Sequence, residues 1–182
     1  GGVMTTKEVA EAMLVRRGSV APAPLRTERA IAVVRAAVEA ERGRGEPRFA
    51  DYRRNAAVLL ATSEEAVDYA TRLGAEAELL AEQDPLVPPA RVQEQLQAFD
   101  PPEQAKGLTP ARLVQLAAAA SNTAAASSRL ELYPRGMAAV RALRLAQGAI
   151  IGARALTVRD LRERVSARYP DAAPLPDRPA LD

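Results

Sequence analysis

The chain has no cysteine and no histidine among its 182 residues. Without cysteine there can be no disulfide and no thiol nucleophile, and without histidine the commonest metal ligand and proton shuttle is missing. Zinc sites and Ser-His-Asp arrangements are therefore excluded. General acid–base catalysis would fall on tuned Asp, Glu, Lys or Tyr side chains, so we expect no catalytic residue, no cofactor and no bound metal in this chain.

Aromatic residues are also scarce, with four Tyr, two Phe and no Trp, although 48% of the residues are apolar. Because most of the apolar residues are Ala, Leu and Val, the sequence predicts a core of closely packed aliphatic helices. No apolar run reaches the length of about 18 residues that a membrane span needs, and the amino end does not resemble a signal peptide. We therefore expect a soluble, cytoplasmic protein with no membrane partner.

Phosphate-binding loops are missing as well, since no GxGxxG or P-loop pattern occurs. Charge, in contrast, is plentiful and segregated. The net charge is +4 over residues 1–60, −7 over residues 61–106 and +5 over residues 107–182. A basic flank could bind nucleic acid, but docking against the acidic middle would explain the same asymmetry.

The beginning of the chain recurs near its end. The segment from Met4 to Met13 aligns with the segment from Leu156 to Val165 at an offset of 152 positions, and Pro24 aligns with Pro176. Each copy is predicted to form a helix, a Pro-containing loop and then a second helix. In the second copy that helix has barely begun at Asp182, so we expect a piece of a longer protein with an incomplete second repeat unit.

Residues 1–62 are predicted to form a winged-helix-like domain. Thr5 and Glu8 have the spacing of a capping box, which begins a first helix, and a second helix follows from about Thr27. Residues 49–61 have the pattern of a two-stranded hairpin. Helices followed by a hairpin are the order of elements in a winged helix, so the fold class is mainly α with a small β-hairpin.

The rest of the chain is predicted to be helical: residues 63–99 form acidic connecting helices, residues 100–107 a linker, and residues 108–182 a helical domain that ends in a truncated second helix-turn-helix unit. Gly74 within the first connecting helix indicates a bend or a close helix crossing. Thr109 and Pro110 begin a long Ala-rich helix that extends towards Leu130.

Six arginines of the winged-helix-like half are candidate DNA-binding residues. In a winged helix the second helix and the wing both contact DNA, and Arg side chains supply phosphate contacts. The interleaved acidic residues favour an alternative, in which these are ordinary solvated arginines, and winged helices also mediate domain contacts. The candidates are Arg29, Arg35 and Arg42 in the second helix and Arg48, Arg53 and Arg54 around the wing.

A second candidate site lies in residues 130–137, a polar, turn-forming interruption between two apolar helices. It could dock another domain of the same protein, or it could simply connect the helices with Tyr133 packing across the connection. Ser127 and Ser128 suggest only helix surface. The candidate partner-docking residues are Arg129, Glu131, Tyr133 and Arg135.

The segments SSRLELYPRGM (residues 127–137) and LPDRPALD (residues 175–182) resemble the region outside the kinase domain in large actinobacterial serine/threonine kinases of the PglW type. The resemblance extends over roughly residues 1–182. Those kinases belong to phage-growth-limitation and BREX defence systems, so the resemblance implies a fragment of a multidomain defence protein. No kinase Gly-rich loop, HRD or DFG motif occurs here, and no kinase activity or kinase residue is carried over.

Two function classes follow. The first is a non-catalytic interaction or scaffold module, whose partners are other domains of the parent protein or other defence-system proteins. The alternative is a DNA-binding winged-helix module or transcription regulator, whose partner is duplex DNA.

Overall fold

The computed structural model describes residues 2–19, 24–45, 48–54, 57–150 and 156–176. The expected mainly helical fold with a small hairpin is confirmed. The helices are α1 (Thr6–Arg16), α2 (Pro24–Arg42), α3 (Glu64–Gln83), α4 (Pro89–Gln97), α5 (Pro110–Ala120), α6 (Ala139–Ile150) and α7 (Val158–Arg168). The strands are β1 (Val3–Thr5), β2 (Ala50–Arg54), β3 (Ala57–Ala61), β4 (Ala124–Ala126) and β5 (Leu132–Pro134). No helix within these ranges is both long enough and apolar enough to cross a membrane.

The amino-terminal elements form a three-stranded antiparallel sheet in the order β1-β3-β2, with α1 and α2 between β1 and β2 in sequence. The predicted capping box is confirmed: the Glu8 N–H donates to the Thr5 hydroxyl at 3.1 Å, and the Thr5 N–H donates to the Glu8 carboxylate at 2.7 Å. The predicted start of the second helix at Thr27 is wrong. The helix begins at Pro24, because proline's fixed φ suits the first helical turn. The loop that contains Pro22 lies outside the described residues.

The largest buried cluster surrounds α3 and joins it to α4, α5 and the sheet. The predicted close crossing at Gly74 is confirmed, since a Cβ placed there would lie 2.6 Å from the Ala120 carbonyl oxygen of α5. The cluster also contains Val3 and Leu59, and Arg112 of α5 donates to the Glu8 carboxylate at 2.8 Å. The division of the chain at residues 62 and 100–107 stays a prediction, and buried side chains from both sides of each boundary share this cluster.

The predicted continuation of the Ala-rich helix towards Leu130 is wrong. Helix α5 stops at Ala120, where the Ser121 hydroxyl accepts the N–H of Ala124 at 2.8 Å. Strand β4 then pairs with β5 in antiparallel register, Ala124 opposite Pro134. Helix propensity is a weak preference that tertiary context overrides, so Ala124–Ala126 form a strand here although alanine favours helices. Ser127 is consequently 4% exposed and does not lie on a helix surface as predicted.

The repeat is visible in the structure. Helices α1 and α7 have the same bounds at the offset of 152 positions, and both begin with a capping box, formed in α7 by Thr157 and Asp160. Their surroundings differ, because α1 packs with α2 whereas α7 buries Val165 in a cluster that contains α6 residues. The predicted second helix of the second copy falls on residues 177–182, which lie outside the described residues.

Candidate interaction surfaces

The candidate DNA-binding arginines lie on α2 and around β2. Arg29 and Arg35 are exposed on α2. Arg53 and Arg54 occupy positions in β2 opposite Val58 and Ala57 of β3, and their side chains lie outside what the structure describes. The structure therefore places these four residues on the two predicted elements. The remaining two candidates, Arg42 and Arg48, form ion pairs with acidic side chains.

Arg42 is held between two carboxylates. Its Nε donates to Asp51 Oδ1 at 2.8 Å, and its Nη1 donates to Glu39 Oε1 at 3.1 Å. The hydrogen bond to Asp51 raises the pKa of Arg42 above its usual value. A guanidinium that already has two acidic partners has little net positive charge to offer to a phosphate.

Arg48 is paired with Glu41, a side chain on α2 that is buried. Glu41 is 4% exposed, and it accepts hydrogen bonds from Arg48 Nε at 2.7 Å and from Arg48 Nη2 at 3.0 Å. Arg44 adds an ion pair at 3.1 Å. These hydrogen bonds from Arg48 hold the pKa of Glu41 at about 2. The junction of α2 and β2 is thus a set of matched charges, and sequence analysis did not identify Glu41 as its buried anchor.

Four exposed apolar side chains lie on one side of α2. Leu25 is 67% exposed and Val33 is 58% exposed, and Ala36 and Ala40 are exposed as well. Residues spaced three or four apart share one side of a helix, so these four side chains lie along one side of α2, with the exposed Arg29 between Leu25 and Val33. We call this set, Leu25, Val33, Ala36 and Ala40, the α2 stripe.

Glu131, one of the candidate partner-docking residues, binds the end of α7. Its carboxylate accepts a hydrogen bond from Arg168 Nη2 at 3.0 Å and another from the Ser127 hydroxyl at 2.7 Å. The Glu131 and Arg168 side chains are each 13% exposed. Charges this well buried need partners, so the pair fastens α7 to the β4–β5 hairpin.

Tyr133 and Arg135 bind the segment that follows α7. Tyr133 is fully buried, its hydroxyl accepts the Asp171 N–H at 2.9 Å, and its ring meets Tyr169 edge-on at 5.2 Å between centroids. Burial raises the pKa of Tyr133 to about 12. Arg135 donates to the Ala124 carbonyl at 2.8 Å and to Asp171 at 2.9 Å.

Three of the four candidate partner-docking residues therefore contact other parts of their own chain, and Arg129 is exposed. Whether any of them also contacts another domain stays a prediction. Sequence reasoning missed their partners Ser127, Arg168, Tyr169 and Asp171. The repeat draws attention to Arg168 through its alignment with Arg16, but it gives no sign that Glu131 is the partner.

A groove of about 780 Å³ runs between α7 and the segment after it. One wall is formed by α7, including Arg159, Arg162 and Ser166, and the other by residues 170–175 with the apolar side chains of Ala172 and Leu175. Within the described ranges, no group of three or more metal-ligating side chains is placed to hold a metal ion.

The chain is 38% identical, over an alignment 202 positions long, to a protein of Streptomyces coelicolor (strain ATCC BAA-471 / A3(2) / M145) described as "Probable kinase PglW". The alignment covers 94% of this chain and 13% of that protein, so the chain spans about an eighth of its relative's length. The resemblance to part of a PglW-type protein is thus confirmed. No protein-family model matches the chain, and no solved structure gives a significant match.

Proposed function

We propose that this chain is a non-catalytic interaction module of a larger PglW-like protein, where it binds other domains of that protein or proteins of the same defence system. The observation that supports this most is the pairing of Arg42 with Asp51 and of Arg48 with Glu41. It lowers the positive charge where a winged helix would meet DNA.

The α2 stripe supports the same proposal. Exposed Leu25 and Val33 on one side of a helix suit a protein partner, because burying apolar surface yields about 25 cal/mol per Å². A phosphate backbone offers no such surface and instead needs cations. We take the occupant to be another domain of the same chain, since the relative has most of its length outside the matched 13%.

The proposal can be tested by hydroxyl-radical footprinting of this chain alone and within the intact protein that carries it. We expect oxidation of Leu25 and Val33 to fall several-fold in the intact protein. Leu79 on α3 and Val140 on α6 are matched controls, because they are 52% and 61% exposed and lie on other elements. Unchanged oxidation at Leu25 and Val33, or an equal fall at all four residues, would contradict a specific docking surface on α2.

DNA binding is the second candidate function, and one observation favours it. The order β1-α1-α2-β2-β3, with β1 paired to β3, is compatible with a winged helix in which α2 would be the recognition helix, and Arg29 and Arg35 are exposed on that helix. A DNA-binding module or transcription regulator should lose affinity steeply as salt rises. Docking through the α2 stripe should depend only weakly on salt.

A further inference from the structure

The groove beside α7 lies on the side by which α1 binds α2. Ala10 of α1 is fully buried with Val34 and Val38 of α2, and Met13 and Leu14 pack against the same cluster. At the repeat offset of 152 positions, Arg162 aligns with Ala10 and Ser166 with Leu14, and both line the groove instead. Val165, which aligns with Met13, borders the groove but is buried in the cluster that contains α6 residues.

The segment after α7 is fixed as the opposite wall of that groove. The Ala173 N–H donates to the Met137 carbonyl at 2.9 Å, and the Gly136 N–H donates to the Asp171 carbonyl at 2.7 Å. This wall ends at Pro176, which aligns with Pro24, the first residue of α2. In the first copy, the helix that covers α1 thus begins at Pro24, which is the position equivalent to Pro176.

We propose that the groove receives the second helix of the second repeat copy, supplied by the polypeptide after Pro176, and that this helix packs on α7 as α2 packs on α1. The inference rests on the proposed function in one respect, that the chain acts within a larger protein. It adds a specific intramolecular site to that function.

The groove also indicates what the incoming helix should look like. The Ala10 and Leu14 positions of α1 are replaced by Arg162 and Ser166, so this wall is more polar than its counterpart. The opposite wall, with Leu175, is apolar. A matching helix has apolar residues spaced like Ala30, Val34 and Val38, the side chains by which α2 packs on α1.

The absence of cysteine makes a direct test possible, because Ser166→Cys places a single thiol in the groove of the isolated chain. Ser166 is exposed, so the substitution should not disturb folding. Maleimide should modify S166C readily in the isolated chain, and about tenfold more slowly in the intact protein if a helix covers it, since thiol reactivity requires access. Peptide mass spectrometry locates the modified residue in the intact protein.

Arg164→Cys is the matched control. Arg164 is exposed on α7 and aligns with Ala12, which stays exposed on α1 in the presence of α2. We expect R164C to react at the same rate in both proteins. Equal rates for S166C in both proteins, or slowing at both positions, would overturn the inference.

A short bifunctional cross-linker attached to S166C then identifies the occupant. We expect the cross-linked peptide to lie within about 20 residues after Pro176, because α2 is 19 residues long. A cross-link to a distant segment or to a second copy of the protein would overturn the inference. This outcome is distinct from failure of the proposed function, which is tested by the oxidation of Leu25 and Val33.

Discussion

Substitution of Gly74 by Ala should destabilise the protein even though Ala is the better helix former. A Cβ at this position would lie 2.6 Å from the carbonyl oxygen of Ala120 and 2.7 Å from its carbonyl carbon. These are backbone atoms of α5, which no side-chain rotation can move aside. The two helices would have to separate in the middle of the largest buried cluster, which contains Leu73, Ala77 and Leu116.

The expected magnitude follows from two opposing effects. Overpacking of a close-packed core costs about 1–3 kcal/mol, and we expect the upper part of that range because the clash is with backbone. The gain in helix propensity from Gly to Ala returns about 1 kcal/mol. The free energy of unfolding should therefore fall by about 1–2 kcal/mol, which for a chain of this size lowers Tm by roughly 2–8 °C.

Gly148→Ala is the matched control. Gly148 lies in α6, and a Cβ there would meet nothing within 4 Å, so only the propensity gain of up to about 1 kcal/mol remains. Urea denaturation followed by circular dichroism measures both variants. The two substitutions should change stability in opposite directions. A G74A protein as stable as the parent, or a gain equal to that of G148A, would refute the close crossing of α3 and α5.

Three further outcomes are expected. Burial raises the pKa of Tyr133 to about 12, above its value of about 10 in the unfolded chain. The free energy of unfolding should therefore fall as pH rises from about 10 to 12, and urea denaturation should show a smaller fall over this pH range for Tyr133→Phe than for the parent. The pKa of Glu41 is lowered from 4.5 to about 2, so stability should be lost as pH falls through that interval, and acid titration of Glu41→Gln should lack this part of the loss. Arg168→Met should lower the free energy of unfolding by roughly 1.5–3 kcal/mol, because it removes the hydrogen bonds to the Glu131 carboxylate. A double-mutant cycle with Glu131→Gln should show that the two substitutions are coupled, and the control Arg129→Ala should have little effect on stability.

Helices whose ends are encoded locally were predicted well. Thr5 and Thr109 each accept an N–H of the first helical turn, and Pro110 begins α5. In each case the signal is a residue type next to the helix it begins. Strands β1 and β4 were not predicted, because Val3–Thr5 pairs with a strand more than 50 positions away and the three consecutive alanines of β4 carry no strand pattern.

The candidate site illustrates the same limit. The sequence identified the candidate arginines by residue type and by element, but it did not show that Asp51 and Glu41 pair with Arg42 and Arg48 at the junction of α2 and β2. Arg42 and Asp51 are nine positions apart, and Glu41 and Arg48 are seven positions apart. Helix α2 ends at Arg42, so helical spacing does not predict either pair. Only the folded backbone brings these charges within hydrogen-bonding distance.

Whether the chain contacts DNA or protein can be decided by titrating it into labelled duplex DNA at low and near-physiological salt, with fluorescence anisotropy as the readout. A variant with Arg29, Arg35 and Arg53 changed to Ala is compared with a charge-matched control that lacks three arginines on other elements: Arg91, Arg141 and Arg144.

The interaction-module proposal predicts no more than weak binding to the duplex at low salt, affected equally by the two triple substitutions. Tight binding that falls steeply with salt, and that is lost in the first variant but kept in the control, would contradict the proposal and establish DNA as the partner.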